Sequence, residues 1–150
     1  MPGVMALLHD TSTRLSLEAR FRGLEPQRKP RWGRMSADQM VWHLNQALAA
    51  SLGQLDLPPE KSPLPRPLMK LVVLNLPWPK NAPTNPAFVP AGTYDFAPEC
   101  RRCLGLIGQL ASTPLDAPDS THPLFGRMSI RDSSRLHARH LDHHLRQFGL

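Results

Sequence analysis

Proline sets the first limit on what this chain can fold into. Most of its 17 prolines fall between Pro58 and Pro98. Each removes a backbone donor and crowds the preceding turn, so that stretch cannot be one continuous helix. On either side the apolar residues recur with helical spacing. Leu15, Leu17, Ala19 and Phe21 mark a first helix over residues 11 to 23, with Gly23 as its stop. Ser36 and Gln39 have the spacing of a capping box, and Met35 and Met40 stand at the staple positions around it. Met40, Val41, Leu44, Leu48 and Leu52 then form a core-facing stripe that ends near Gly53.

Inside the proline-rich stretch one apolar run, Leu68 to Leu74, is confined by Pro65 and Pro67 before it and Pro77 after it. Leu68, Leu71 and Val72 fit helical spacing, which predicts a helix of about ten residues. Pro77 to Pro98 reads as an extended crossover, and so long a loop in a compact domain usually lies over a functional face. A further helix is expected from Ala97 to Ser112, with Cys100, Cys103, Leu104, Ile107 and Leu110 on one face. The last runs from Ser129 to Phe148, with Ile130, Leu141, Leu145 and Phe148 inward and Arg131, Arg135, Arg139, Asp142 and Arg146 outward. Four amphipathic helices without a strand pattern predict an all-α four-helix bundle. Residues 1–150 form one domain able to bury a sizeable core.

No apolar run approaches the roughly 20 residues of a membrane span, and Met1 to Asp10 has too short an apolar core for a signal peptide. A cytoplasmic protein is expected. Two cysteines are too few for a disulfide framework, and on the inward face of a helix they read as small hydrophobes. The net charge of +6 has a local source in Arg20, Arg22, Arg28, Lys29, Arg31 and Arg34, against Glu25. Without interleaved aromatics this segment reads as a solvated loop, and neither nucleic acid nor membrane is expected as a partner.

Two segments echo each other. Pro30-Arg31-Trp32-Gly33-Arg34-Met35-Ser36 and Pro123-Leu124-Phe125-Gly126-Arg127-Met128-Ser129 share Pro-x-aromatic-Gly-Arg-Met-Ser. Both lead into a helix, so the serine is expected to cap and the aromatic to plug a bundle end. The echo does not decide whether the two helices run parallel or antiparallel.

Four of the seven histidines lie between positions 137 and 144. On a helix His140 and His144 are about 40° apart, with His137 and Gln147 beside them. His43 stands in the apolar sequence Met40-Val41-Trp42-His43-Leu44, where an imidazole is costly unless it is paired or ligating. His43, His140 and His144 together make a three-nitrogen set that leaves coordination positions open, as catalytic metal sites do. The alternatives are a hydrogen-bonded core histidine and a solvated basic helix end. His137 can replace a ligand or support one, Gln147 can orient one, and His143 and Asp142 are expected outside. The acidic residues nearest by element are Glu18 and Asp38, and no general base is evident.

The chain resembles the DinB and YfiT-like superfamily of metalloenzymes, and within it a bacterial family of unknown function. The likeness rests on Trp32-Gly33-Arg34-Met35-Ser36 leading to Gln39, Met40 and His43, and on Pro79-Lys80-Asn81-Ala82-Pro83-Thr84. It rests also on His122-Pro123-Leu124-Phe125-Gly126 leading to His140-Leu141-Asp142-His143-His144-Leu145-Arg146-Gln147-Phe148, and it covers nearly the whole chain. It implies an up-down-down-up bundle with its long crossover between helices two and three. It also implies a zinc or nickel ion on His43, His140 and His144. His143, Arg146 and Gln147 stand where the superfamily more usually has an aromatic and an Arg-Gly-Gln ending. The implied activity is thiol-dependent S-transfer or isomerisation with a low-molecular-weight thiol cosubstrate, or hydrolysis of a small molecule. A non-catalytic metal-binding or stress-response module is the alternative. The expected partners are a small-molecule substrate and at most a second copy of the chain, as a homodimer.

Overall fold

The computed structural model describes Gly3 and residues 5–150. Met1, Pro2 and Val4, part of the stretch read for a signal peptide, lie outside the described residues. The fold is mostly helical, with five helices and a small two-stranded sheet. In chain order these are α1 (Thr11–Arg22), α2 (Ala37–Ser51), α3 (Arg66–Asn75), α4 (Phe96–Ser112), the hairpin β1 (Ser120–His122) and β2 (Gly126–Met128), and α5 (Ile130–Gln147). A single 3-10 turn, Pro86–Phe88, breaks the crossover between α3 and α4. No helix among the described residues is long and apolar enough to cross a membrane.

α2 packs on both α4 and α5, and α1 lies along α5. Their inward faces merge in one core that contains Leu17 and Phe21, Met40, Leu44 and Leu48, Leu106, Ile107 and Leu110, and Leu141, Leu145 and Phe148. A smaller core joins α3 and the hairpin to another face of α5 through Leu74, Phe125, Met128 and Leu136, with Trp78 packed at its edge. On α3 the inward residues are Leu74, Met69 and Val73, whereas Leu68 and Leu71, whose spacing marked the helix, are 45% and 59% exposed. Packed between α5 and the hairpin, the helix turns that stripe inward and leaves its other side in solvent. Two arginines expected to stand free on the outer face of α5 hold α3 instead. Arg135 donates to Leu74 O and Asn75 Oδ1, and Arg139 donates to Leu76 O, so both answer carbonyls left over where α3 ends.

The repeated heptapeptide is a turn. Gly33 and Gly126 both have left-handed backbones, at φ 82° and 71°, which is the conformation glycine adopts without strain. Each turn delivers a serine to a helix start. Ser36 N–H donates to Gln39 Oε1 at 3.1 Å, while Ser129 and Asp132 complete a reciprocal box at 3.0 and 3.2 Å. The strand pairing was not expected, because three-residue strands are too short to show an alternating pattern. Ser120 opposes Met128 and His122 opposes Gly126. The aromatics of the two copies go separate ways. Phe125 is buried in the smaller core, whereas Trp32 stays half-buried on the surface of α5.

The basic segment is not a free loop either. Arg20 pairs with Asp142 at 2.8 Å, Arg28 donates to the carbonyls of Phe148 and Gly149 at 2.6 and 2.9 Å, and Arg31 N–H donates to Gln147 O. These groups satisfy and neutralise the C-terminal end of α5, where carbonyls are left over and the helix dipole is negative. Asp142, expected outside, is buried for the same reason: α1 covers that side of α5.

Candidate metal centre

His43 on α2 meets His140 and His144 on α5, and the three ligand-capable nitrogens lie within 4.8 Å of one another. His140 Nε2 is 2.9 Å from His43 Nε2 and 3.0 Å from His144 Nε2. The rings stand edge to face, with centroids 4.7 to 4.9 Å apart.

The outer nitrogens decide where the protons sit. His43 Nδ1 lies 2.8 Å from the carbonyl of Phe88, which can only accept, so Nδ1 carries the hydrogen. His144 Nδ1 lies 2.7 Å from Gln147 Oε1. The Gln147 amide is itself oriented, because its Nε2 donates to Trp32 O at 2.8 Å, and its oxygen is therefore the atom turned to His144. Both outer nitrogens thus donate, and both neutral rings offer only an Nε2 lone pair to the centre. His140 Nε2 can bring at most one hydrogen to the two of them. Extra protons do not resolve this. Burial pushes His144 down to about 3, and burial with the neighbouring rings holds His140 well below the ordinary histidine value. Burial lowers His43 as well, against the Phe88 bond that raises it. Converging lone pairs in a dry pocket fit a divalent cation, and neutral imidazole is its usual ligand.

The remaining sequence candidates fall around this centre. His137 shares the face of α5 but turns its Nε2 to the Ser51 hydroxyl at 2.7 Å, with its ring 6.4 Å from that of His140, so it does not join the three. His143 is half-buried rather than outside. The loop after α1 and the crossover both fold over it, putting Trp32 at 5.9 Å and Trp78 at 5.5 Å from its ring. His122 accepts the N–H groups of Leu124 and Phe125 and shapes the hairpin turn. His9 bridges Ser134 and the carbonyl of Thr113. Glu18 pairs with Arg14 and Arg22 on α1. Asp38 accepts from Ser36 and from Tyr94 N–H, which anchors the end of the crossover. Cys103 is fully buried and Cys100 half-buried, and burial pushes the Cys100 thiol up to about 11, so neither is a ready nucleophile.

Several residues at the centre escaped sequence reasoning. Phe88 reaches His43 because Asn85 Oδ1 accepts Ala87 N–H and Pro86 pre-sets the 3-10 turn. Trp78, placed between two prolines, lies 5.8 Å from the His140 ring and donates its own N–H to Val73 O. An Asn-Pro pair and a tryptophan between prolines are visible signals, but nothing local says which helix they cover.

A family described as Protein of unknown function (DUF1569) matches residues 15–149. The chain belongs to this family. For this DUF1569 member no curated protein and no solved structure matches. The match runs from within α1 through α5 and includes His43, His140 and His144.

Proposed function

We propose that the chain is a metal-dependent enzyme of DinB-like architecture, in which His43, His140 and His144 hold a divalent ion, zinc or nickel. The observation that carries this is the proton count at the centre: two fixed Nδ1–H donors leave three inward nitrogens with at most one hydrogen among them. The up-down-down-up order belongs to the same reading. It is supported by the packing of α2 against α4 and α5, and by a crossover that supplies Phe88 to His43.

A divalent ion so held acts as a Lewis acid and lowers the pKa of a thiol or water that it binds. The chain's own residues define the setting. Phe88 and Gln147 fix the tautomers of His43 and His144, and Trp78 packs against the His140 ring. Among the described residues no aspartate or glutamate hydrogen-bonds to the three histidines. That favours a nucleophile needing little help from a base. A thiol, ordinarily near pKa 8.5, fits better than water. Thiol-dependent S-transfer or isomerisation of a small electrophile is therefore the favoured reaction, with hydrolysis second. A non-catalytic metal module also draws support, from the burial of His43 and His144, since structural sites are closed.

The test is the metal content of protein purified without an affinity-tag nickel step, followed by assays of thiol consumption with electrophilic acceptors. About one divalent ion per chain is expected. His43→Ala and His144→Ala should lose the ion and the activity while keeping the helical circular dichroism. Loss of fold together with the ion supports the non-catalytic module, and metal-free wild-type protein overturns both readings.

A further inference from the structure

Beside the three histidines is a cavity of about 360 Å³ whose walls include Trp32, Trp78, Lys80, Arg139, His143 and Arg146. That is the lower end of the range for small-molecule sites. Its electrostatics are one-sided. Three cations line it against one carboxylate, Asp142, and that carboxylate is already engaged by Arg20 at 2.8 Å and Arg146 at 3.3 Å. Among the described residues neither Lys80 nor Arg139 has a carboxylate at ion-pair distance, although Arg139 feels the charge of Asp142 and donates one N–H to Leu76 O. Each instead lies over an indole: Lys80 Nζ is 5.1 Å from the Trp32 ring and Arg139 Cζ 5.5 Å from the Trp78 ring. Two indole rings and two cations with no carboxylate at ion-pair distance therefore line one space. It touches the metal centre through His143, whose ring is 5.1 Å from that of His144, and through Trp78, which faces both His140 and His143.

We propose that this cavity binds a small organic carboxylate with a flat apolar body. Lys80 and Arg139 receive the carboxylate, and Trp32 and Trp78 hold the body beside the histidines. A carboxylate supplies the close counter-charge that both cations lack, and a flat body covers the indole faces. Arg146 adds positive potential but is committed to Asp142. This assignment deepens the enzyme reading by naming its substrate class, and it rests on that reading only for the claim that the bound molecule reacts.

Two of the chain's three tryptophans line the cavity, so intrinsic fluorescence reports its occupancy. Full-length protein is titrated with benzoate and with the neutral benzamide, both as purified and after chelator treatment. Saturable quenching by benzoate in both samples is expected, with benzamide weaker by about tenfold or more. Lys80→Gln should lose a similar factor and Lys80→Arg should restore most of it, with metal content unchanged in both. Equal binding of the two probes, or unaltered binding by Lys80→Gln, overturns the proposal. Benzoate binding that disappears with the metal also overturns it, since the carboxylate then sits on the histidine centre while the metal reading survives. Binding retained by protein that never held a metal upholds the cavity and sinks only the enzyme reading.

Discussion

At Gln147 one amide has two partners, and together they fix its orientation. Its nitrogen donates to Trp32 O and its oxygen accepts from His144 Nδ1, so a backbone carbonyl before α2 sets the tautomer of a ring on α5. Supporting partners of this kind typically change metal affinity by about 10–100-fold when removed. Gln147→Leu should show that loss in chelator competition. Gln147→Glu, which still accepts from His144 but cannot donate to Trp32, should lose less. Unchanged affinity in the leucine variant would remove Gln147 from the site. Gly33 tests the same contact from the other side, because a Cβ there would lie 2.5 Å from Gln147 Nε2 at a backbone φ of 82°. Gly53 has a similar φ of 72° but open space around it. Both Gly→Ala variants should lose about 1–3 kcal/mol of stability from backbone strain. Only Gly33→Ala should also weaken metal binding, as measured by the same competition.

At the scale of elements, the arginines that looked like a solvated basic patch act as the end-piece of α5. Arg20 reaches across from α1 to Asp142, which is 8% exposed, and also donates to Leu150 O. Arg20→Ala leaves Asp142 with Arg146 alone, whose side chain is half exposed. The expected loss is about 2 kcal/mol, as for a charge-assisted hydrogen bond, read as a lower denaturant midpoint at unchanged slope. A change below about 0.5 kcal/mol would show that the pair is no stronger than an ordinary surface contact. Helix positions were legible because stripes such as Met40, Leu44 and Leu48 depend only on local periodicity. The destinations of Arg20, Arg28, Arg135 and Arg139 were not, because each bonds a carbonyl or carboxylate on another element. The same holds at the centre. His140 and His144 could be paired from their spacing and His43 singled out by its apolar neighbours. Phe88 and Trp78 arrive through the proline-rich crossover, whose path no periodicity encodes.

At the scale of the whole molecule, several neutral histidines are buried or half-buried, and this sets the response to acid. Burial pushes His137 down to about 3, with the nearby His122 adding to it, and burial pushes His122 down to about 4. His144 is held at about 3, and His43 and His140 are lowered too. In the unfolded chain each returns to about 6.5. Between these values the unfolded chain takes up protons that the folded one refuses. The stabilising contribution is therefore complete above about pH 6.5 and is lost as pH falls towards the folded values, at up to about 1.4 kcal/mol per pH unit for each histidine. Asp38 and Asp132, whose carboxyls are held below the usual value, add their own loss only at more acid pH. Urea midpoints of the metal-free protein between about pH 6.5 and pH 5 should thus fall steeply, chiefly through histidine. His137→Gln keeps a group able to bond the Ser51 hydroxyl and should make the decline shallower by about one histidine's share. A flat profile in this window, or an unchanged slope in His137→Gln, would mean that the interior histidines are already open to water. With a divalent ion bound, stability near neutral pH should rise and its acid loss steepen further, because protons then compete directly for the three inward nitrogens.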